Sequence, residues 1–68
     1  MNIIDSIDAD QIEDGDQILI DGDPLENVTV SEDPMDDFAV VITGYSNDTG
    51  DVETYTVPFD YPVQVWAV

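Results

Sequence analysis

Hydrophobic residues fall into short, largely β-branched clusters separated by acids, glycines and prolines. Gln17-Ile18-Leu19-Ile20 is one such cluster and predicts a strand. Asp21-Gly22-Asp23-Pro24 follows as a turn, because Asp-Gly accepts positive φ. Leu25 to Val30 contains the alternation Val28-Thr29-Val30 and predicts the next strand. Ser31 to Asp37 holds four acids, Pro34 and Met35, and is read as a loop. Phe38 to Thr43 is the most apolar run and is expected to be the central strand. Gly44 to Gly50 is read as a turn. Val52 to Val57 alternates, which places Tyr55, Val57 and Phe59 on one side and Thr54 and Thr56 on the other. Pro58 and Pro62 bracket a bend before the last strand, Val63 to Trp66, with Val63 and Val65 facing inward.

Ahead of these segments, Ile3 and Ile4 mark at most a short edge strand. Asp8-Ala9-Asp10-Gln11 opens one helical turn, with Asp8 as the cap and Gln11 answering three residues on as a capping box. Ile12 then points inward and Gly15 ends the turn. Residues 1–68 are expected to form one domain with a modest core and marginal stability. Strands at this spacing predict an all-β fold: a small five-stranded barrel, closed or nearly so, with one short helical turn near the N-terminus. The run from Ala9 to Ile18, followed by Asp21-Gly22, resembles the opening of SH3-like small barrels. There a short turn precedes Gly-Asp and the first strand. The resemblance spans roughly Asp8 to Val30 and implies an SH3-like barrel. Many such barrels bind nucleic acid and are basic; this chain has the opposite charge.

Charge changes the functional picture. The chain has 17 Asp and Glu, no Lys, Arg or His, and a net charge of −17. A compact chain of this length has a radius of gyration of about 11 Å and is about 28 Å across. About 28 Å of duplex carries about 16 charges, so the two charge densities match. Hydrophobic residues make up 43% of the chain, enough to argue against disorder despite the charge. Repulsion among the acids costs stability, and salt relieves it. Without a base, the chain has no side-chain cation for phosphate, so direct binding to nucleic acid or anionic lipid is set aside. Without Cys or His it lacks disulfides, thiolate metal sites and the commonest general base. The start of the chain carries neither a basic region nor a long apolar run, and a soluble, intracellular protein is expected.

In size and charge the chain resembles the acidic DNA-mimic inhibitor proteins of phages and mobile elements. Those proteins occupy the DNA site of a host protein such as a restriction enzyme, a glycosylase or a nucleoid protein. They share no single fold, so the likeness transfers no site residue. It implies an inhibitor in the host cytoplasm whose partner is a basic DNA-binding host protein.

Candidate partner-binding residues come from the chain itself. Residues two apart on a strand share a face at a spacing of roughly 6.6 Å. Asp14 and Asp16, Asp21 and Asp23, and Asp51 and Glu53 have that interval. Such carboxylates can engage the lysines and arginines that hold phosphates, although loop acids are also simply solvated. Met35, beside Asp33, Asp36 and Asp37, is either an anchor for a partner's pocket or an ordinary loop residue. Phe38, Tyr55 and Phe59 are assigned to the core; Trp66 is assigned there in preference to serving as a second partner anchor like Met35.

Asp8, Asp10, Glu13, Asp14 and Asp16 crowd one segment, but the EF-hand pattern fails: counted from Asp8, the sixth residue is Glu13 and glycine comes eighth. No dedicated metal or cofactor is expected. Paired-carboxylate catalysis needs a cleft, and a small barrel is filled by side chains, so no enzymatic activity is expected either. Two other readings stay open: a salt-adapted barrel, or a virion-associated assembly module docking on a basic neighbour without DNA mimicry. A monomer is expected, with a dimer left open: the edge at Ile3 offers pairing to another copy, and like charge opposes it.

Overall fold

A computed structural model describes residues 1–67. The strands are β1 (Asn2–Asp8), β2 (Ile18–Ile20), β3 (Asp23–Asp33), β4 (Asp36–Ser46), β5 (Val52–Pro58) and β6 (Pro62–Ala67), with a 3-10 turn at Ala9–Gln11. They form one antiparallel sheet in the order β1-β6-β2-β3-β4-β5. The fold is all-β, but it has six strands and the sheet is open. This corrects the expected five-stranded, closed SH3-like barrel.

The reason lies at the edges. β1 is a full strand that takes one side of β6 from Asn2↔Ala67 to Asp8↔Pro62. β5 pairs only with β4, and no ladder joins β1 to β5 among the described residues. Between those edges the 3-10 turn meets the β5–β6 connection: Ala9 N donates to Tyr61 O at 2.9 Å and Asp10 N to Phe59 O at 3.0 Å. Two turn-to-turn bonds stand where a barrel would have a strand ladder. The turn itself starts as expected, with Asp8 N donating to Gln11 Oε1 at 3.1 Å.

The segment from Ser31 to Asp37 is not a loop. β3 and β4 run for 11 residues each and meet in a hairpin closed by Pro34 and Met35. Asp33 Oδ1 accepts from Met35 N, and Asp36 Oδ1 from Phe38 N, each at 2.9 Å. These aspartates form side-chain turns with their own backbone, so acids that suggest a loop instead build a tight hairpin. The β2–β3 turn follows expectation: Asp21 (φ 51) and Gly22 (φ 81) both lie in the left-handed region, as a type I′ hairpin requires.

Ile18, Ile20, Leu25, Val28 and Ile42 are fully buried, and Val40, Val57, Val63, Ala9 and Ile12 complete the core. Tyr55 and Phe59 pack against it half-buried. Trp66 is buried but lies outside that cluster, while Val65 is only half-buried. Phe38 departs from expectation: it is 77% exposed, because it sits on the hairpin beyond Val40, the last buried residue of its side of β4.

Candidate functional site

Eleven residues of β3 separate Asp23 from Asp33 by about 30 Å of strand, and the long axis of the molecule is 33 Å. The candidate acids sort largely by which end of this ribbon they occupy. At the tip of the β3–β4 hairpin stand Asp33, Asp36 and Asp37, with Met35 between them at 92% exposure. Asp21, Asp23, Asp51 and Glu53 lie at the other end, on the β2–β3 turn and the β4–β5 hairpin. Asp14 and Asp16 belong to the loop between the 3-10 turn and β2, either side of Gly15 (φ 92). Asp14, Asp16 and Asp21 are therefore off the strands, and no regular strand-face row of carboxylates runs through 14/16 or 21/23.

Several of these acids are also bonded within the fold. Asp14 Oδ1 accepts from Val30 N at 3.0 Å and Asp16 Oδ2 from Glu13 N at 3.0 Å, pinning their loop. Asp23 accepts from two hydroxyls, Ser46 Oγ at 2.5 Å and Tyr55 OH at 2.6 Å, and Ser46 is fully buried. Asp21 accepts from the Tyr61 hydroxyl, and Glu53 from Thr49 Oγ1 at 3.3 Å. Asp37 and Asp51 are exposed. Among the described residues, no three acidic side chains converge into a metal-binding group.

The hydrogen bond from Tyr55 to Asp23, then desolvation, then the charges of Asp23, Glu53 and Asp21 push the Tyr55 hydroxyl up to about 12 from 10.0. Tyr61 is raised for the same first reason, its bond to Asp21. The folded state thus keeps a proton that the unfolded chain releases from pH 10.0 upward. Its stabilising effect is intact below that pH and is lost as pH climbs towards about 12. Tyr55→Phe is expected to flatten the alkaline fall of the urea midpoint between these limits, and the late phase of the 295 nm absorbance titration should lose the Tyr55 contribution with it. A late phase that keeps its full amplitude in the variant would mean that Tyr55 is not the hydroxyl titrating there.

Near the hairpin tip a groove of about 370 Å³ has Ile12, Val30, Val40 and Phe59 as its apolar lining and Asp10, Asp14 and Glu32 as its acidic rim. The fully exposed side of the tip adds Phe38 and Met35. Sequence reasoning missed Asp10, Glu32, Phe38 and Phe59 as members of one surface. The adjacency of Met35 and Phe38 to acids was the only signal for it, since the groove assembles from the 3-10 turn, β3, β4 and the β5–β6 turn. A larger groove, about 450 Å³, runs between β1–β6 and β2, with Gln11, Gln64, Asp8 and Asp21 among its walls.

No family model matches the chain, and no curated protein or solved structure does so either. The resemblance to SH3-like barrels falls with the open sheet. The resemblance to DNA-mimic inhibitor proteins finds no relative to support it, so membership of that group is withdrawn.

Proposed function

We propose that this protein is a polyanionic binding module that occupies the nucleic-acid-binding face of a basic protein. One observation carries the reading: a charge of −17 without a single base, on a body 33 Å long. About 33 Å of duplex carries about 19 charges. A protein surface built for phosphates therefore meets a comparable charge over a comparable length. Charge of this kind speeds association and leaves it sensitive to salt.

Selection among basic proteins rests on apolar contacts. The hairpin tip supplies them, because Met35 and Phe38 stand free in a ring of Asp33, Asp36 and Asp37, beside the acid-rimmed groove. Exposed apolar residues of this size set partner choice when they enter a pocket, while the surrounding charges orient the approach.

The test is capture of basic proteins from a bacterial lysate at near-physiological salt, followed by elution with duplex DNA. One discrete DNA-binding protein, released by duplex and no longer retained by a Met35→Ala/Phe38→Ala variant, is the expected result. That variant removes exposed side chains only, so its fold should persist. Retention of the partner in excess duplex would refute competition for a DNA site. A smear of basic proteins released by slight salt would refute selectivity.

A further inference from the structure

With 17 acids on 68 residues, a sheet face almost without charge is unexpected. The outer face of β3–β4–β5 is one. Its cross-strand rows are Thr29, Thr43 and Thr54, then Ser31, Val41 and Thr56, then Ala39 and Pro58. Tyr45 and Val52 extend it at 46% and 68% exposure. Between the two ends of the ribbon the one acid on it is Glu26, opposite Tyr45, which is half-buried and accepts from Gln17 Nε2 at 3.4 Å; Asp37, which precedes Ala39 in the alternation of β4, stands at the hairpin-tip end of the face. Glu53, the only acid within β5, lies on the other face with Tyr55 and Val57.

This face ends on an open edge. Asp51 O accepts from Ser46 N at 2.8 Å, and Phe59 N donates to Phe38 O at 3.0 Å, so the odd-numbered positions of β5 turn their backbone towards β4. The β4–β5 register is unbroken from Ala39↔Pro58 to Tyr45↔Val52. Alternation then puts the N–H and C=O groups of Val52, Thr54 and Thr56 on the open side. The two sheet edges differ. β1 carries a register shift between Ile3 and Asp5, and also Asp5 and Asp8. Bulges and charges of that kind blunt an edge against pairing. Over Val52 to Val57, β5 has neither a bulge nor an open-side proline, and it is rich in Val, Thr and Tyr, which favour strands.

We propose that a second copy of this chain pairs antiparallel with the open edge of β5, with Thr54 on the two-fold axis. In this register Val52 of each copy lies opposite Thr56 of the other, so all the open donors and acceptors of Val52, Thr54 and Thr56 are used. Glu53 faces Tyr55 of the second copy rather than its own counterpart, which avoids directly opposed like charges. Both sheets then run on as one, and the uncharged faces become continuous.

The charge distribution selects a second copy as the occupant. An acid-poor face has little to attract a basic protein, and with no base it does not attract an anion. An isologous strand pair needs only an edge that is complementary to itself. Elsewhere two copies repel, so here they approach at the least electrostatic cost. Association should therefore strengthen as salt is added, opposite to the salt dependence of binding to a basic partner, and the two readings stand or fall separately.

The experiment is sedimentation equilibrium of the full chain at about 0.15 M and about 1 M NaCl, between which the screening length falls from about 8 Å to about 3 Å. The expected result is reversible association of the 7.5 kDa chain to a dimer, tighter at the higher salt. Thr56→Glu places a like charge inside the pairing on an exposed position. Thr54→Pro removes an open-edge donor without touching the β4 ladder. Each should raise the dimer dissociation constant at least about tenfold. Circular dichroism checks the fold, and if Thr54→Pro does not fold, Thr56→Glu alone decides. A monomer at both salts, a dimer that weakens with salt, an assembly larger than a dimer, or a dimer that a folded variant leaves unchanged would each overturn the proposal.

Discussion

Trp66→Ala is expected to remove about 3–5 kcal/mol of stability, the usual cost of emptying a buried tryptophan site. At 68 residues the whole domain is worth only about 3–10 kcal/mol. The loss therefore consumes between about a third and all of the total, and the variant should unfold at modest urea. The position explains the severity. The sheet consists of a β1–β6 ribbon and a β3–β4–β5 meander joined through β2, and β2 meets β6 in only two pairs, Ile18↔Val65 and Leu19↔Gln64. Trp66 reinforces that narrow joint twice. Its backbone N donates to Gln17 O at 3.0 Å, and its indole Nε1 donates to Ile18 O at 2.9 Å. Trp66→Phe separates the two contributions: the ring volume is mostly kept, while the Ile18 carbonyl loses a buried donor, at a cost of about 1–3 kcal/mol. Urea midpoints followed by far-ultraviolet circular dichroism measure both. Equal midpoints for Trp66→Ala and the parent chain would show that the joint is held by the ladder alone.

The sequence pattern made the interior strands legible and left the edges obscure, for one physical reason. Ile18, Ile20, Leu25, Val40 and Ile42 declare themselves because buried positions must be apolar. β1 has no buried residue and only Ile7 half-buried, so its alternation carries no signal. Its partner β6 determines it, and that pairing is not a local property. The same blindness produced the closed barrel, since strand spacing does not say which edges meet. The hairpin tip was hidden because Asp33 and Asp36 serve turn geometry and solvation with the same side chain.

Charge was legible at once as a total, and its arrangement was not. Asp23 meets Tyr55 across 32 residues, and Asp14 reaches Val30 across 16. Contacts of that range gather Asp21, Asp23 and Glu53 around one hydroxyl, while β3 and β4 carry Asp33, Asp36 and Asp37 to the far end. Acids gathered mainly towards the ends leave the outer sheet face between them nearly neutral. A charged partner and a second copy are thereby directed to different surfaces, because the first needs the carboxylates and the second needs their absence.

Gly44→Ala should destabilise the domain by about 1–3 kcal/mol, the range for overfilling a packed interior. A turn between Gly44 and Gly50 would predict tolerance here, since an exposed turn glycine has space around it. Gly44 instead sits inside β4, buried, and opposite Glu53 of β5. A Cβ at this position would stand 2.7 Å from Val28 Cγ1, 3.2 Å from Glu26 O and 3.2 Å from Leu25 Cβ. β3 comes this close because its register with β4 shifts between Glu26 and Thr29, where Asn27 takes φ 51. The shift frees Val28 from the β4 ladder; its amide and carbonyl pair with Asp16 O and Gly15 N, and its side chain is fully buried. Val28 is stiff about its first side-chain torsion, and the Glu26 oxygen belongs to the backbone, so neither neighbour yields cheaply. The gain from restricting a glycine in the unfolded chain, about 0.4–1 kcal/mol, is too small to compensate. Val28→Ala in the same chain removes the worst contact but leaves Glu26 O in place. The double variant should therefore be less unstable than the sum of the two single losses, with a coupling of about 0.5–3 kcal/mol. Additive urea midpoints, or a neutral Gly44→Ala, would mean that the approach of β3 to β4 does not depend on the missing side chain.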